Sequence, residues 1–371
     1  MDQIIYIWQR KDWPNFHWDI DKLLPLLYET TQKRAFFLGQ ISSLDDTIQK
    51  NAYADVLENE IISSNSIENI LLDRDSVRSS LLSRLGVENA GLKYSDRYTE
   101  GAVNIVFDAV TNYSVPLTKE RLYGWHSELF PSGMSEGRRI ITGNRRQGPI
   151  YVVSGSMGKE IIHYEAPPAD RIDAEIDRFL KFVNEEESVN ILIKAAVAHV
   201  WFVSIHPFAD GNGRIARTIT EMLLAKADGL PHRYYSLSLE IMKNRKEYYD
   251  ILEYTQKNTM DVTKFIEYFL KTIQKSVATS QAKIEKTIAK TKFWDSIRKY
   301  PLNERQIKIL NMMQEDFEGK LTTAKWEKLN KCSHSTALRD IKDLIDKGIL
   351  IDDGKHSKNT SYLLQHTEKN D

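Results

Sequence analysis

One cysteine, Cys332, stands in 371 residues, so no internal disulfide can form and the chain fits a reducing compartment. Charge is nearly balanced, with 51 Lys and Arg against 52 Asp and Glu, a formal net charge of -1. No global field therefore draws the chain to nucleic acid or an anionic membrane, and any such binding needs a local patch. No apolar run reaches spanning length, and the start, Met1 to Lys11, lacks the basic head and apolar stretch of a signal peptide. Internal repeats and low-complexity tracts are missing too. From these absences we expect a soluble cytoplasmic protein with no membrane partner, and from its length two or three domains.

What is present is concentrated in one run, Ile205-His-Pro-Phe-Ala-Asp-Gly-Asn-Gly-Arg-Ile-Ala-Arg217. Apolar residues at helical spacing precede it (Ala196, Val197, Val200, Trp201) and follow it (Ile215, Ile219, Met222, Leu223), so the run joins two buried helices. Gly211-Asn212-Gly213 is then the turn that opens the second helix. A helix start offers unpaired N–H groups and the positive end of the macrodipole, and glycine lets an anion come close. Arg214 and Arg217, both placed in the first turn, add planar forks for phosphate oxygens. Asp210 is suited to hold Mg²⁺ between phosphates, and His206 can take a proton at neutral pH. The residues read as a phosphate site.

This run is similar to the signature of the Fic (filamentation induced by cAMP) family at every defined position. The resemblance implies a protein adenylyltransferase that moves AMP from ATP to a Ser, Thr or Tyr hydroxyl. His206 would be the catalytic base, Asp210 the Mg²⁺ ligand, and Gly211, Asn212, Gly213, Arg214, Ile215, Ala216 and Arg217 the nucleotide-binding run, with the Asn212 side chain helping to neutralise the α-phosphate. Family members that act as kinases carry lysine where this chain has Gly213. Upstream, Ser64-x-x-x-Glu68-Asn69 resembles the family's inhibitory motif, which implies that Glu68 pairs with Arg217 and competes with the γ-phosphate. On residues alone the same stretch reads as a helix end capped by Asn69.

The expected fold is mainly α, with a helical N-terminal domain at 1–93, a Fic-type helical core with a β-hairpin flap at 94–272, a linker helix at 273–300 and a winged helix-turn-helix at 301–371. Trp8, Trp13, Phe16 and Trp18 read as a packed cap. Helices are expected at 19–40, kinked or opened at Pro25, and at 52–69, 73–85, 98–115, 118–130, 170–184 and 188–204. From Gly133 to Tyr164, glycine turns separate the β-branched runs Ile140-Ile141, Ile150–Val153 and Glu160–Tyr164, a hairpin pattern. Gly158-Lys159 is no P-loop, because Glu160 stands where Ser or Thr is needed. The resemblance implies that Glu160, Ile161, Ile162 and His163 form a flap that lines the nucleotide and receives the protein substrate as an extended segment. It also implies that Tyr249, together with Tyr248, borders the adenine and ribose, although core packing explains two tyrosines on a helix equally well.

Residues 301–371 resemble a winged helix-turn-helix in layout, with helices at 303–315, 322–329 and 333–347 and strands around Asp352-Asp-Gly354 and His356-Ser-Lys358. On DNA, Ser333 to Arg339 would enter the major groove and Lys355 and Lys358 would lie on the wing. Twelve basic and twelve acidic residues in this segment leave no electrostatic footprint, which favours a protein contact over DNA. The alternatives to AMP transfer are removal of AMP in the same site and a nucleotide-sensing DNA-binding regulator. Self-modification is expected of the enzyme, and homodimerisation is an expectation from the family only.

Overall fold

Aspartates start the first four helices. In the computed structural model, Asp19, Asp45, Asp73 and Asp96 each accept the backbone N–H three residues on, at the heads of α1 (Ile20–Ser42), α2 (Asp46–Ile67), α3 (Arg74–Arg84) and α4 (Arg97–Thr111). Thr118 does the same for α5 (Lys119–Leu129). The structure describes residues 5–86, 95–155, 159, 161–315, 317–354 and 360–365. Helix α1 is not opened at Pro25: it runs through the proline, which lies in its second turn, so the disruption falls close to donors left unpaired in any helix start.

After α5 come two antiparallel pairs. Strands β1 (Met134–Ser135) and β2 (Arg138–Arg139) form a small one, and β3 (Tyr151–Ser154) and β4 (Ile161–Glu165) form the hairpin. Tyr151 pairs with Glu165 and Ser154 with Ile161, with an irregularity between Val152 and Val153. Ile140-Ile141 lies in no strand. The chain continues through α6 (Ile172–Glu185), α7 (Ile191–Ile205), α8 (Asn212–Asp228), α9 (Leu237–Lys243), α10 (Arg245–Gln256) and α11 (Thr263–Ile297). The short α9 has no forecast in the pattern above. Ser236 caps it, and Glu60 of α2, itself buried, accepts from Ser236 Oγ at 2.7 Å and from the Ser238 N–H at 2.9 Å.

The described chain forms two units, residues 1–281 and 282–371. In the first, α7 is buried along its length and packs on α8. Trp13 and Phe16 lie against Trp201 of α7, with ring centroids 6.4 and 5.4 Å away, and Trp13 Nε1 donates to Glu175 at 2.9 Å. Trp8 Nε1 donates to the Glu165 carbonyl at 2.7 Å, which ties the N-terminal segment to β4. In the second unit, α12 (Glu304–Gln314), α13 (Thr323–Asn330) and α14 (His334–Asp346) pack around Trp326, Ile341 and Leu344 beside a three-stranded antiparallel sheet. Its order is β5 (Leu321–Thr322), β7 (Ser361–Leu364), β6 (Leu350–Asp352). Arg305 grips buried Asp340 with Nε at 2.6 Å and an Nη at 3.0 Å. Lys355, His356 and Lys358 lie outside the described residues. Among the described residues no helix is long and apolar enough to cross a membrane.

Gly101 sets the approach of α4 to α5: a Cβ there would stand 1.8 Å from the Glu128 carbonyl oxygen. Because that neighbour is backbone, Gly101→Ala should cost about 3 kcal/mol of stability, and a urea midpoint equal to the parent's would contradict this packing.

Candidate active site

A polar loop from His206 to Gly211 joins two buried helices, and its conformation is left-handed at both ends. His206 has φ 50° and Gly211 φ 80°. For Gly211 the reason is direct, since a Cβ would meet the Phe130 ring at 2.8 Å. His206 has a Cβ and must be held there by its neighbours. Its N–H bonds the Phe202 carbonyl at 3.1 Å, and its own carbonyl accepts from Arg146 Nε at 2.8 Å. The Arg146 N–H reaches the Pro207 carbonyl at 2.9 Å. Asn212 closes the loop: Oδ1 accepts from the Phe208 N–H and Nδ2 donates to the Phe208 carbonyl, both at 2.9 Å. Each end of this buried amide thus bonds the Phe208 peptide, and Nδ2 keeps a second hydrogen. His126 stacks on Phe208 with centroids 4.2 Å apart. It accepts the Gly143 N–H at Nδ1, 3.0 Å, so Nε2 carries its proton toward the Asp210 carbonyl at 3.3 Å, and burial pushes its pKa down to about 4.

His206 Nδ1 lies 3.0 Å from the Val203 carbonyl, which can only accept, so the proton of the neutral ring sits on Nδ1 and the lone pair on Nε2. No described residue bonds Nε2. Burial holds the imidazole below its ordinary value, the Val203 bond opposes this, and the Arg146 charge adds to it. The ring is therefore a neutral base at pH 7. Asp210 accepts from Ser135 Oγ on one oxygen and from the Gly211 N–H on the other.

Arg214 and Arg217 are both buried on α8. Arg217 lies in the second turn, not the first, and Arg214 stands 4.9 Å above the Phe130 ring. Arg217 Nε donates to Ser64 Oγ at 2.9 Å, and one Nη donates to the Ser64 carbonyl at 2.7 Å and to Glu68 Oε1 at 2.8 Å. Burial works against this charge, and the Glu68 carboxylate more than offsets it, holding the guanidinium above its ordinary value. Arg217 Nη1 and Arg214 Nε have no hydrogen-bond partner among the described residues. Glu68 is the C-cap of α2, and Asn69 follows at φ 59° with the Ile70 N–H returning to the Asn65 carbonyl at 3.0 Å, a Schellman ending built on asparagine. Tyr249 donates to Glu68 Oε2 at 3.2 Å, and Arg245 donates to Asn69 Oδ1 at 2.6 Å.

A cavity of about 880 Å³ opens beside this pair, with Glu68, His163, His206, Gly213, Arg245 and Tyr249 in its wall. A second hollow of about 520 Å³, containing Ser135, Arg138, Arg139 and Asp210, shares His206, Gly213 and Val153 with it. Of the expected flap residues, His163 reaches the cavity, held by Glu253 at 2.7 Å and Ser154 at 2.6 Å. Ile161 and Ile162 are exposed and lie outside its lining, and Glu160 lies outside the described residues. Ile215 and Ala216 face the core, so their side chains are not available to a nucleotide. The tyrosines divide: Tyr249 turns to Glu68, while the buried Tyr248 hydroxyl is engaged by His199 at 2.8 Å. Since Thr220 Oγ1 donates to Ala216, it accepts from His199 Nδ1, and Tyr248 is the donor to Nε2. Arg146, His126, Ser135 and Glu253 were not foreseen. Arg146 shares the stretch Gly143-Asn-Arg-Arg146 with a second arginine, and nothing local separates the two.

Residues 116–224 match the Fic/DOC family model, and residues 6–87 match a domain of unknown function, DUF4172. The protein adenylyltransferase fic-1 of Caenorhabditis elegans is 26% identical over 157 residues, 41% of this chain and 28% of its own length. The protein adenylyltransferase Fic of Culex quinquefasciatus is 23% identical over 245 residues, 65% of this chain and 45% of its own length. The chain thus spans less than half the length of these curated relatives. The crystal structure of a Fic family protein from Desulfovibrio desulfuricans G20 has a TM-score of 0.54 at 19% identity and covers 93% of this chain and 98% of its own, a likeness of fold. The chain carries a Fic/DOC family domain, and its mainly helical fold is the one seen in that structure.

Because burial disfavours the imidazolium, His206 should gain its proton only below pH 6.5, with Nδ1 protonated above the midpoint. Histidine ¹⁵N NMR against pH reads both, and a midpoint at or above 6.5 would contradict the described environment.

Proposed function

We propose that this Fic/DOC-domain chain transfers AMP from ATP to a hydroxyl of a protein and is restrained by its own Glu68. The observation that carries the reading is the meeting at Gly213 of a base with a free lone pair, His206 in the same cavity wall, and a buried arginine, Arg217, whose Nη1 has no partner among the described residues and lies 3.2 Å from where a Cβ on Gly213 would stand. In the reaction the incoming hydroxyl oxygen attacks the α-phosphorus, the bond to pyrophosphate breaks, and the hydroxyl proton passes to His206 Nε2. N–H groups at the start of α8 face the negative charge on the α-phosphate, a role for the backbone of Asn212 and Gly213, since the Gly211 N–H is taken by Asp210. Arg214 and Arg217 bind the outer phosphates with their remaining donors.

Asp210 is the residue that would hold Mg²⁺. Among the described residues its oxygens accept only from Ser135 and Gly211, which suits a carboxylate available to a hard cation. Among the described residues no group of three acidic, histidine or cysteine side chains surrounds it, so the remaining ligands would be phosphate oxygens and water. When bound, the ion supplies neutralisation of phosphate charge.

Glu68 uses the same fork that the γ-phosphate needs, and its Oε1 lies 2.3 Å from where a Cβ on Gly213 would stand. A carboxylate so close to the cradle restrains a triphosphate, and it equally favours a second reading, alignment of water for removal of AMP from a modified protein. The hairpin supports an extended protein substrate: β3 and β4 pair only with each other among the described residues, and Val153, Ile161 and Ile162 are exposed. We read residues 301–371 as a winged helix-turn-helix that contacts protein. The DNA-binding alternative requires a salt-sensitive gel shift by the full chain and no covalent product.

With ATP labelled on its α-phosphate, His206→Ala should lose protein labelling by at least about 100-fold, the scale of general-base catalysis. Glu68→Gly should raise self-labelling. Undiminished labelling by the first variant removes the assigned base, and an unchanged rate in the second removes the restraint. Incubating AMP-modified protein with the parent chain and Mg²⁺ distinguishes removal from addition.

A further inference from the structure

We propose that Arg146 is a positioning residue for this reaction: its buried guanidinium ties both feet of the β3–β4 flap to the peptide carbonyl of His206 and thereby aims His206 Nε2. The inference rests on the reading of His206 as the base. Arg146 is 3% exposed. Its three guanidinium nitrogens donate in three directions, Nε to the His206 carbonyl at 2.8 Å, Nη1 to the Gly148 carbonyl at 2.6 Å and Nη2 to the Pro167 carbonyl at 2.5 Å. Gly148 lies just before β3 and Pro167 just after β4, where the Ala166 N–H closes the hairpin on the Ile150 carbonyl at 3.2 Å. Its backbone N–H takes the next carbonyl of the signature, Pro207, at 2.9 Å. One residue thus joins the flap's entrance and exit to two consecutive peptides of the catalytic loop.

The chemistry makes this arrangement costly unless the geometry is useful. A buried guanidinium is ordinarily matched by a carboxylate, and among the described residues Arg146 has only carbonyls, so that burial pulls its pKa down to about 10. Its neighbour Arg145 is the ordinary case, more exposed and paired with Asp173 at 2.7 Å. Carbonyls at three bearings match a planar fork, which a lysine ammonium cannot reproduce. His206 in turn needs an external hold, because its left-handed backbone is strained for a residue with a Cβ. The other charges near its ring, Glu68 at the end of α2 and Asp210 in the loop, act on the ring's charge. Neither donates to its peptide. A second tie, from Tyr164 Oη to the Ser204 carbonyl at 2.7 Å, fixes β4 to α7 but leaves the His206 carbonyl to Arg146.

The test compares Arg146→Gln and Arg146→Lys, each with and without Glu68→Gly, by histidine ¹⁵N NMR and by adenylate-transfer kinetics on folded protein. In the parent, His206 should show a single Nδ1–H tautomer. Arg146→Gln should give a mixture of tautomers, a kcat about 100-fold lower and a KM for ATP within about twofold of the parent, the signature of a misaimed group beside an intact binding site. Arg146→Lys, which keeps the charge and one bond, should recover part of kcat and part of the tautomer preference. If Arg146→Gln does not fold, the Lys variant carries the test, with an intermediate tautomer mixture and a reduced kcat at unchanged KM expected. An unaltered tautomer in the folded variants, or kcat and KM changing together, overturns the proposal. If the Glu68→Gly parent itself transfers no AMP, the function assigned above fails, while the tautomer comparison still decides whether Arg146 orients His206.

Discussion

Six residues must pass between α7 and α8, two helices buried almost throughout, without leaving a peptide group unpaired. That constraint explains most of the polar side chains found around the loop. Asn212 replaces a missing strand or helix partner for Phe208, Arg146 takes the carbonyls of His206 and Pro207, and His126 takes that of Asp210. With these groups satisfied, His206 and Gly213 remain in the cavity wall, and the ring nitrogen Nε2 is one that the packing did not use.

A second consequence concerns charge. Arg214 and Arg217 are drawn into the core by helix geometry, where a guanidinium without partners is expensive. Arg217 finds Ser64 and Glu68, residues about 150 positions earlier in the chain. The placement of α2 makes this possible, and α2 is itself held by polar contacts: Glu60 to Ser236 and Ser238, and Glu58 to Arg78 at 2.9 Å. The carboxylate that completes the pair also closes on the start of α8, its Oε1 2.3 Å from where a Cβ on Gly213 would stand, so the contact that relieves a buried charge lies beside the loop that carries His206.

Much of the plan was legible before any coordinates. The helix starts expected at 19, 73 and 118 fall on the capping residues Asp19, Asp73 and Thr118, whose bonds act within one turn, and Asn69 announced a helix end for the same reason. The glycine-rich stretch announced a hairpin. Helix α9 escaped notice because its seven residues are too few for a periodic signal, and it is held by Glu60 from far away in the chain. Helix α1 passed Pro25 because a proline near a helix start removes little that was paired.

Sequence alone established the order of polar residues from His206 to Arg217, the turn that Gly211 permits and the helices on either side, because spacing, caps and glycine act between near neighbours. Tertiary structure decided how each group is used. It turned Asn212 inward to Phe208, gave Tyr248 to His199 and Tyr249 to Glu68, distinguished Arg146 from Arg145, and brought Ser64 and Glu68 to Arg217. Those choices depend on which donors and charges lose water together, and that is settled between residues remote in the chain once the helices have packed.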